Sequence, residues 1–256
     1  MDKLPITLVV VTLNEEANLD RCLCAAEFCA EIIIVDSGST DRTLEIAAQY
    51  NARIFHRTWT GYRDQKNFGA QQATQNWIFC IDADEVVSEE LRRSIVDSLV
   101  TDPDCDGFDV NRHAFYAGRP INHSGWYPQW RTFLYRREKA EWGGREPHTV
   151  VVFHGTRKLK LRGDLNHYTY ANIKQHLTKN LHAAYDAARA MHEDGQRVSL
   201  WTLVSRSVWA FFRTYVVQRG LLDGFYGFVI AAASASYTFN KYAMLRELTT
   251  YKHSTD

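Results

Sequence analysis

Four apolar runs divide the first hundred residues at a regular pitch. Ile6–Leu13, Glu31–Val35 and Trp77–Asp82 are continuous instead of alternating, as expected of strands covered on both faces, and Ala52–Arg57 is a weaker run of the same kind. Between them, apolar residues recur every three or four positions, the spacing of helices: Leu19, Leu23 and Ala26, then Leu44, Ala47 and Ala48. A further helix is predicted over Asp64–Thr74, and Ser88 stands at an N-cap ahead of Leu91, Ile95 and Leu99. Gly38 permits a sharp turn after the second strand, where Ser39 or Thr40 is expected to cap the next helix. Strands and helices alternating in this way predict an α/β fold, a mostly parallel sheet with helices on both faces.

The pattern changes at Asp106. Aromatic and basic residues interleave through Phe115-Tyr116, Trp126-Tyr127, Trp130-Arg131 and Trp142, which reads as an irregular β region. After Ala171 a long amphipathic helix carries Ile173, Leu177, Leu181, Ala184, Ala188 and Met191 in step and is ended by Gly195. The tail is different again. Ser199–Gly220 predicts a helix rich in Trp201, Trp209, Phe211, Phe212 and Tyr215, punctuated by Arg206, Arg213 and Arg219, and Gly224–Asn240 runs 17 residues without a charge. A span needs roughly 20 mostly apolar residues, so these helices are expected to lie in a membrane interface; packing on the preceding body or on a second subunit is the alternative. The expected domains are a body over 1–196, split near residue 105, and a helical membrane-associated region over 197–256.

Charge supports that division. The chain is neutral overall, yet residues 1–196 carry 23 Lys/Arg against 27 Asp/Glu while 197–256 carry 7 against 3, so the tail is the basic part. Five cysteines without Cys-x-x-Cys spacing read as reduced, packed thiols, with Cys22, Cys24 and Cys29 on one predicted helix. The first apolar run is too short and too β-branched for a secretory signal. Neither a P-loop nor a Gly-x-Gly-x-x-Gly occurs, and without a concentrated basic stripe a nucleic-acid partner is disfavoured.

The candidate chemistry lies at strand ends, where ligands of open α/β sheets bind. The Trp77 strand ends in Asp82-Ala-Asp84-Glu85, and two carboxylates two residues apart on an extended chain point the same way and can share one hard cation, Mg²⁺ or Mn²⁺. Asp36 ends the second strand, where it can accept from a nucleobase imide or a ribose hydroxyl, and Thr12, Asn14 and Glu15 end the first. Lys66, with Arg63 nearby, can meet a phosphate. Trp126 and Trp130 are candidates to face a sugar ring, with core packing as the other reading.

Leu8-Val-Val-Val-Thr-Leu-Asn-Glu-Glu-Ala-Asn-Leu19, Val35-Asp-Ser-Gly-Ser-Thr-Asp41, Lys66-Asn67-Phe-Gly69 and Ile81-Asp-Ala-Asp-Glu85, in that order, resemble the signature of family-2 glycosyltransferases with the GT-A fold. The resemblance implies an inverting, metal-dependent transfer from a nucleotide-sugar donor, usually a UDP-sugar. It places Asp36 at the base, Thr12 and Glu15 near the nucleoside, Lys66 at the diphosphate, and Asp82 with Asp84 at ribose and metal. The general base is expected from Gly143-Gly144-Arg145-Glu146-Pro147-His148, where relatives often carry a His-Glu pair; here the acid precedes the histidine. Glu146 is the first candidate and Glu85 the second, with His148 on the acceptor side. His167 matches a His-Tyr element of the lipopolysaccharide-core branch, as a metal ligand, a phosphate contact or a structural histidine. The tail, with Tyr215, Gly220, Asp223, Gly224 and Gly227, is similar to core β-1,4-glucosyltransferases of that branch. The resemblance thus implies a hexose, glucose first, a lipid-anchored saccharide acceptor, and a place on the cytoplasmic face of a bacterial inner membrane.

Two rival readings remain open at this stage. Asp82-x-Asp84 also fits Mg²⁺-dependent phosphatases of haloacid-dehalogenase type, although those carry it on their first strand. A nucleotide-sugar-binding membrane adaptor without a base would also suit the irregular Glu146-Pro-His148 element.

Overall fold

The computed structural model describes residues 3–145 and 148–250, with only the backbone of Arg145 and His148. The four apolar runs are strands β1 (Leu4–Thr12), β2 (Cys29–Asp36), β3 (Arg53–His56) and β4 (Trp77–Asp82), separated by helices α1 (Leu19–Ala25), α2 (Thr43–Gln49) and α3 (Tyr62–Gln71). They pair in parallel in the order β3-β2-β1-β4. Both faces are covered, which is why the runs do not alternate. Ile6, Leu8 and Val10 of β1 join one apolar cluster with Leu19, Leu23, Phe79 and Leu91, while Val9 joins another with Ile33, Val35, Ile78 and Cys80. Helix α3 comes down directly on the second face. A Cβ at Gly69 would lie 2.5 Å from Val9 Cγ1, so the motif glycine is what allows the contact.

A mostly parallel sheet holds for this half only. Beyond α4 (Glu89–Thr101), capped by Ser88 as the sequence predicts, come the later strands β6 (Gly107–Tyr116), β7 (Arg119–Pro120), β8 (Trp130–Arg136), β9 (Ala140–Arg145), β10 (His148–Phe153) and β11 (Lys158–Tyr170), with β5 (Glu85–Val87) just after β4. The sheet continues from β4 as β8-β6-β11-β5, and β4–β8, β6–β8 and β11–β5 are antiparallel. The sheet is therefore mixed. Parallel neighbours need crossover connections of about a dozen residues or more, so the two-residue link between β6 and β7 makes that pair antiparallel as well. Strands β9 and β10 form a separate antiparallel pair.

Two smaller expectations also change. Cys29 opens β2 instead of sharing a helix with Cys22 and Cys24. Ser39 and Thr40 do not cap α2; Asp41 does the nearest equivalent, accepting from Thr43 N at 3.0 Å.

Contacts divide the chain into two units, Met1–His113 with Gln129–His167, and Ala114–Pro128 with Tyr168–Asp256. The helix after Ala171, expected in the catalytic body, thus belongs with the tail. In this second unit α5 (Ile173–Glu193), α6 (Leu200–Phe212) and α7 (Gly224–Thr250) meet through Ala188, Leu203, Tyr242 and Leu245. The helix expected over 199–220 runs without interruption over Leu200–Val217, its last turn, Arg213–Val217, being π-helical. The break follows it, with Arg219 at φ 57° and a 3-10 turn at Gly220–Asp223 opening the next helical segment, and the two segments are bent by 69°. Sequence explains the corner. A Cβ at Gly227 would sit 1.7 Å from the Gly220 carbonyl oxygen, and Asp223 accepts from Asn122 N, His123 N and Ser124 Oγ at 3.0, 3.1 and 2.7 Å. Among the described residues no single helix is long and apolar enough to cross a membrane, although the bent pair passes that test of length and composition together.

Trp126 lies in the second unit, ringed by Tyr116, Tyr170 and His176 with centroids 6.2, 6.0 and 5.9 Å away. His176 is bonded on both ring nitrogens, by Tyr116 and Asn180, and burial pushes its pKa down to about 4. Trp126 is accordingly a packing residue of this cluster, against its expected place at the acceptor.

Candidate active site

Parallel register brings the strand ends together. Thr12 pairs with Asp36 across β1 and β2, and Val11 with Asp82 across β1 and β4, so three polar strand ends stand side by side. The loops that follow β1 and β2 are laced to each other. Asn14, in the left-handed region at φ 56°, accepts from Thr40 N at 2.9 Å and its own N–H donates to Ser39 Oγ at 2.9 Å, while Glu15 N donates to Thr43 Oγ1 at 2.7 Å. Asp36 holds the second loop. Its buried carboxylate accepts from Thr12 Oγ1 at 3.0 Å, from Gly38 N and Ser39 N at 2.9 Å each, and from Ser39 Oγ at 2.5 Å. Burial alone would raise its pKa, yet the bonds from Ser39, Gly38 and Thr12 outweigh that and lower it. Four donors fill the carboxylate. Asp36 therefore builds the turn that follows β2.

Lys66 is likewise turned inward. It is 5% exposed, its Nζ lies 2.7 Å from Asp82 Oδ1, and its ammonium stands 4.2 Å from the Trp142 ring centroid. Burial opposes its charge, but Asp82 more than restores it and the pKa is raised. The neighbouring Asn67 clamps β9, donating to Trp142 O at 2.9 Å and accepting from Trp142 N at 2.8 Å. The Lys66-Asn67-Phe-Gly69 motif is thus a packing device: one residue holds the acid, one holds β9, and one lets the helix approach.

The acids after β4 do not share one face as their spacing suggests, because the strand ends at Asp82 and a tight turn leads into β5. Glu85 closes that turn. Fully buried, it accepts from Asp82 N at 2.8 Å and lies 2.5 Å from Arg112 Nε on β6. Arg112 Nη2 is also 3.8 Å from Asp82 Oδ2. Burial raises the Glu85 pKa, with Arg112 opposing, whereas Asp82 is held down at about 2, since Lys66 and Arg112 outweigh its burial. Sealed under Arg112, Glu85 is a support of the turn and has no opening toward an acceptor hydroxyl.

Asp84 points elsewhere. Its Oδ2 is 3.3 Å from His167 Nε2, which the antiparallel register His167–Glu85 brings beside it. The permanent charges of Lys66 and Arg112 balance Asp82 and Glu85, so Asp84 is the carboxylate of this cluster without a permanent counter-charge. Two ligands each about 2.1 Å from one octahedral ion stand about 3 Å apart, so Asp84 and His167 fit a divalent cation as they lie. Asp82 does not join them, and among the described residues no three His, Cys, Asp or Glu side chains converge as a closed metal site.

Arg112 has no signal in the sequence, because its partners are 27 and 30 residues away. Arg131 is another residue that only the register finds. It pairs with Val110, which sets it diagonal to Arg112 on the same face of the sheet, and it is exposed; burial and then Arg112 lower its pKa. Trp130 points to the other face, 40% exposed, with Lys160 Nζ 4.6 Å from its ring centroid. Glu146 and the side chain of His148 lie outside the described residues.

A family model, Glycosyl transferase family 2, matches residues 7–163. The chain belongs to this family. The glycosyltransferase is similar over nearly its whole length to curated relatives. It is 30% identical to the lipopolysaccharide core biosynthesis glycosyltransferase LpsC of Rhizobium meliloti over 93% of this chain and 90% of that protein. It is 28% identical to the uncharacterized glycosyltransferase RP128 of Rickettsia prowazekii over 95% of this chain and 87% of that one. Among solved structures, it is similar to Staphylococcus aureus TarS 1–349, with TM-score 0.47 at 13% identity over 96% and 91% of the two chains. It is also similar to glucosyl-3-phosphoglycerate synthase of Mycobacterium tuberculosis in complex with Mn²⁺, UDP and glucosyl-3-phosphoglycerate, with TM-score 0.44 at 17% identity over 64% and 72%. Family membership removes the phosphatase reading, and with the mixed α/β sheet it makes the fold GT-A-like.

Proposed function

We propose that this glycosyltransferase moves a hexose, glucose first, from a UDP-sugar to a lipid-anchored saccharide of the lipopolysaccharide core class, with inversion, as a peripheral protein on the cytoplasmic face of a bacterial inner membrane. The acceptor class is supported by likeness to LpsC across nearly the whole chain. The donor half rests on Asp84 and His167, paired at 3.3 Å beside a turn in which every other charge is balanced. These two residues would hold Mg²⁺ or Mn²⁺, which in a diphosphate complex neutralises charge on the leaving group. Lys66 and Arg112 keep Asp82 and Glu85 fixed, so the turn carrying Asp84 is already in place when donor arrives. The laced loops with Thr12, Asn14, Glu15 and Asp36 form the nucleoside wall, and the exposed Arg131 guanidinium faces the anionic part of the substrates. Trp130, on the opposite face of the sheet from Arg112 and Arg131, takes no part in this reading. Glu146 takes the proton of the attacking hydroxyl, since Asp36, Asp82 and Glu85 are engaged in the structure itself.

Thermal unfolding of the protein with UDP, ADP, GDP, CMP and their sugars, each with and without Mn²⁺ or Mg²⁺, tests the donor half, because a ligand of the native state alone raises its apparent stability. We expect a metal-dependent rise with UDP and UDP-sugars. Equal shifts with and without metal, or preference for another nucleotide, would reject that assignment. Glu146→Gln is expected to lower turnover about 10²-fold at similar donor affinity, as for loss of a general base; an unchanged rate would move the base elsewhere.

A further inference from the structure

Arg131 is left over by the ion pairs that hold the rest of the site. It stands on β8, which lies between β4 and β6. Phe79 pairs with Leu134 in antiparallel register, and that register carried along both strands brings Arg131 to the Asp82 end of β4. On the other side Val110 pairs with Arg131, so Arg131 and Arg112 project from one face. Arg112 is taken by Glu85 at 2.5 Å and Asp82 at 3.8 Å, and Asp82 by Lys66 at 2.7 Å. Among the described residues no acid forms an ion pair with Arg131, which is exposed. Burial and then Arg112 work against its charge, and groups held against their own charge cluster at functional sites.

The balance of charge indicates the partner. Lys66, Arg112 and Arg131 together offset Asp82, Asp84 and Glu85, yet Asp84 is paired with His167 at 3.3 Å and not with Arg131. A divalent cation on Asp84 and His167 gives the cluster an excess of two positive charges, one at the metal and one on Arg131. The diphosphate of a nucleotide sugar, singly ionised on each phosphate, matches that excess. Spacing agrees with charge. Strands β8 and β11 flank β6, so the backbones that carry Arg131 and His167 run roughly 10 Å apart. Metal–oxygen and guanidinium–phosphate contacts of about 2.1 and 2.8 Å leave room for a diphosphate between the two side chains. In the transfer, the bond from the anomeric carbon to the β-phosphate oxygen breaks and its electron pair stays on that oxygen, while the acceptor oxygen bonds the carbon and gives its proton to the base. The β-phosphate gains negative charge as it leaves, so a cation beside it counts for more in the transition state than in the bound donor.

We infer that Arg131 binds the β-phosphate of the donor's diphosphate, on the side away from the metal, and stabilises it as it leaves. The inference rests on the donor half of the proposed function and adds a residue to it. Titration calorimetry with UDP, UMP and uridine, each with Mn²⁺, tests it on the full chain and on Arg131→Gln and Arg131→Lys, without sugar or acceptor. The native chain should bind UDP more tightly than UMP. Arg131→Gln should weaken UDP about 30-fold, as for loss of a charge-assisted hydrogen bond, and leave UMP, which lacks the β-phosphate, nearly unchanged. Arg131→Lys keeps the charge without the planar fork and should fall between. The unliganded Tm of Arg131→Gln should not drop, because the fold works against this charge. A lower Tm together with lost uridine binding would make Arg131 a structural residue and overturn the inference. Equal losses for UDP and UMP, or native UDP affinity in Arg131→Gln, would overturn it and leave the donor reading in place. A native chain that binds no UDP with Mn²⁺ would reject the donor reading, and the inference with it.

Discussion

Asp84→Ala is expected to lower sugar transfer at least about 10³-fold, the several kcal/mol that a metal contributes at a leaving diphosphate, while the protein stays folded. Asp84 sits in the turn after β4 and its side chain is paired with His167, so its loss leaves Lys66, Asp82, Glu85 and Arg112 as they are. The matching measurement is thermal unfolding with UDP and Mn²⁺. The variant should unfold near the native temperature without ligand and lose the metal-dependent part of the rise. Full activity, or an unchanged metal-dependent rise, would take the cation away from Asp84.

Glu85→Gln is expected to act the other way, on the fold. Removing one partner of a buried ion pair costs about 3–5 kcal/mol, which for a chain of this size lowers Tm on the order of 10 °C. Arg112 cannot shed its charge, and its remaining partner, Asp82 at 3.8 Å, is already held by Lys66 at 2.7 Å. Arg112→Met should cost less, under about half as much, because the stranded Glu85 has a pKa already raised by burial and can become neutral. The double variant should recover much of the loss, since no buried charge is then left alone. Unfolding curves for the three variants measure this directly. A Glu85→Gln protein with native Tm and no turnover would instead make Glu85 the general base.

These two expectations separate residues that the sequence presents as equals. Asp82, Asp84 and Glu85 stand in four consecutive positions after an apolar strand, and nothing in that spacing ranks them. The structure assigns Asp82 to Lys66, Glu85 to Arg112 and Asp84 to His167. The same division runs through the other motifs. Asp36 is saturated by its own turn, Lys66 is buried under Trp142, and Gly69 and Gly227 are sites of close approach. Much of what reads as ligand contact is the framework that fixes loops at the strand ends.

The parallel half of the sheet, the helix cap at Ser88 and the glycosyltransferase family were legible in the residues alone. These follow from local patterns: continuous apolar runs, helical spacing, turn residues and polar strand ends are each read within about ten residues. The antiparallel half, the corner between α6 and α7, the placing of Trp126 in a packed cluster and the partners of each acid emerge only in the folded chain. All of these depend on register between distant segments. Strand β11 meets β5 some 80 residues away, and that pairing alone sets His167 beside Asp84. Side-chain charge shows what can pair, but which carboxylate is left without a permanent cation is settled only when the strands are laid side by side.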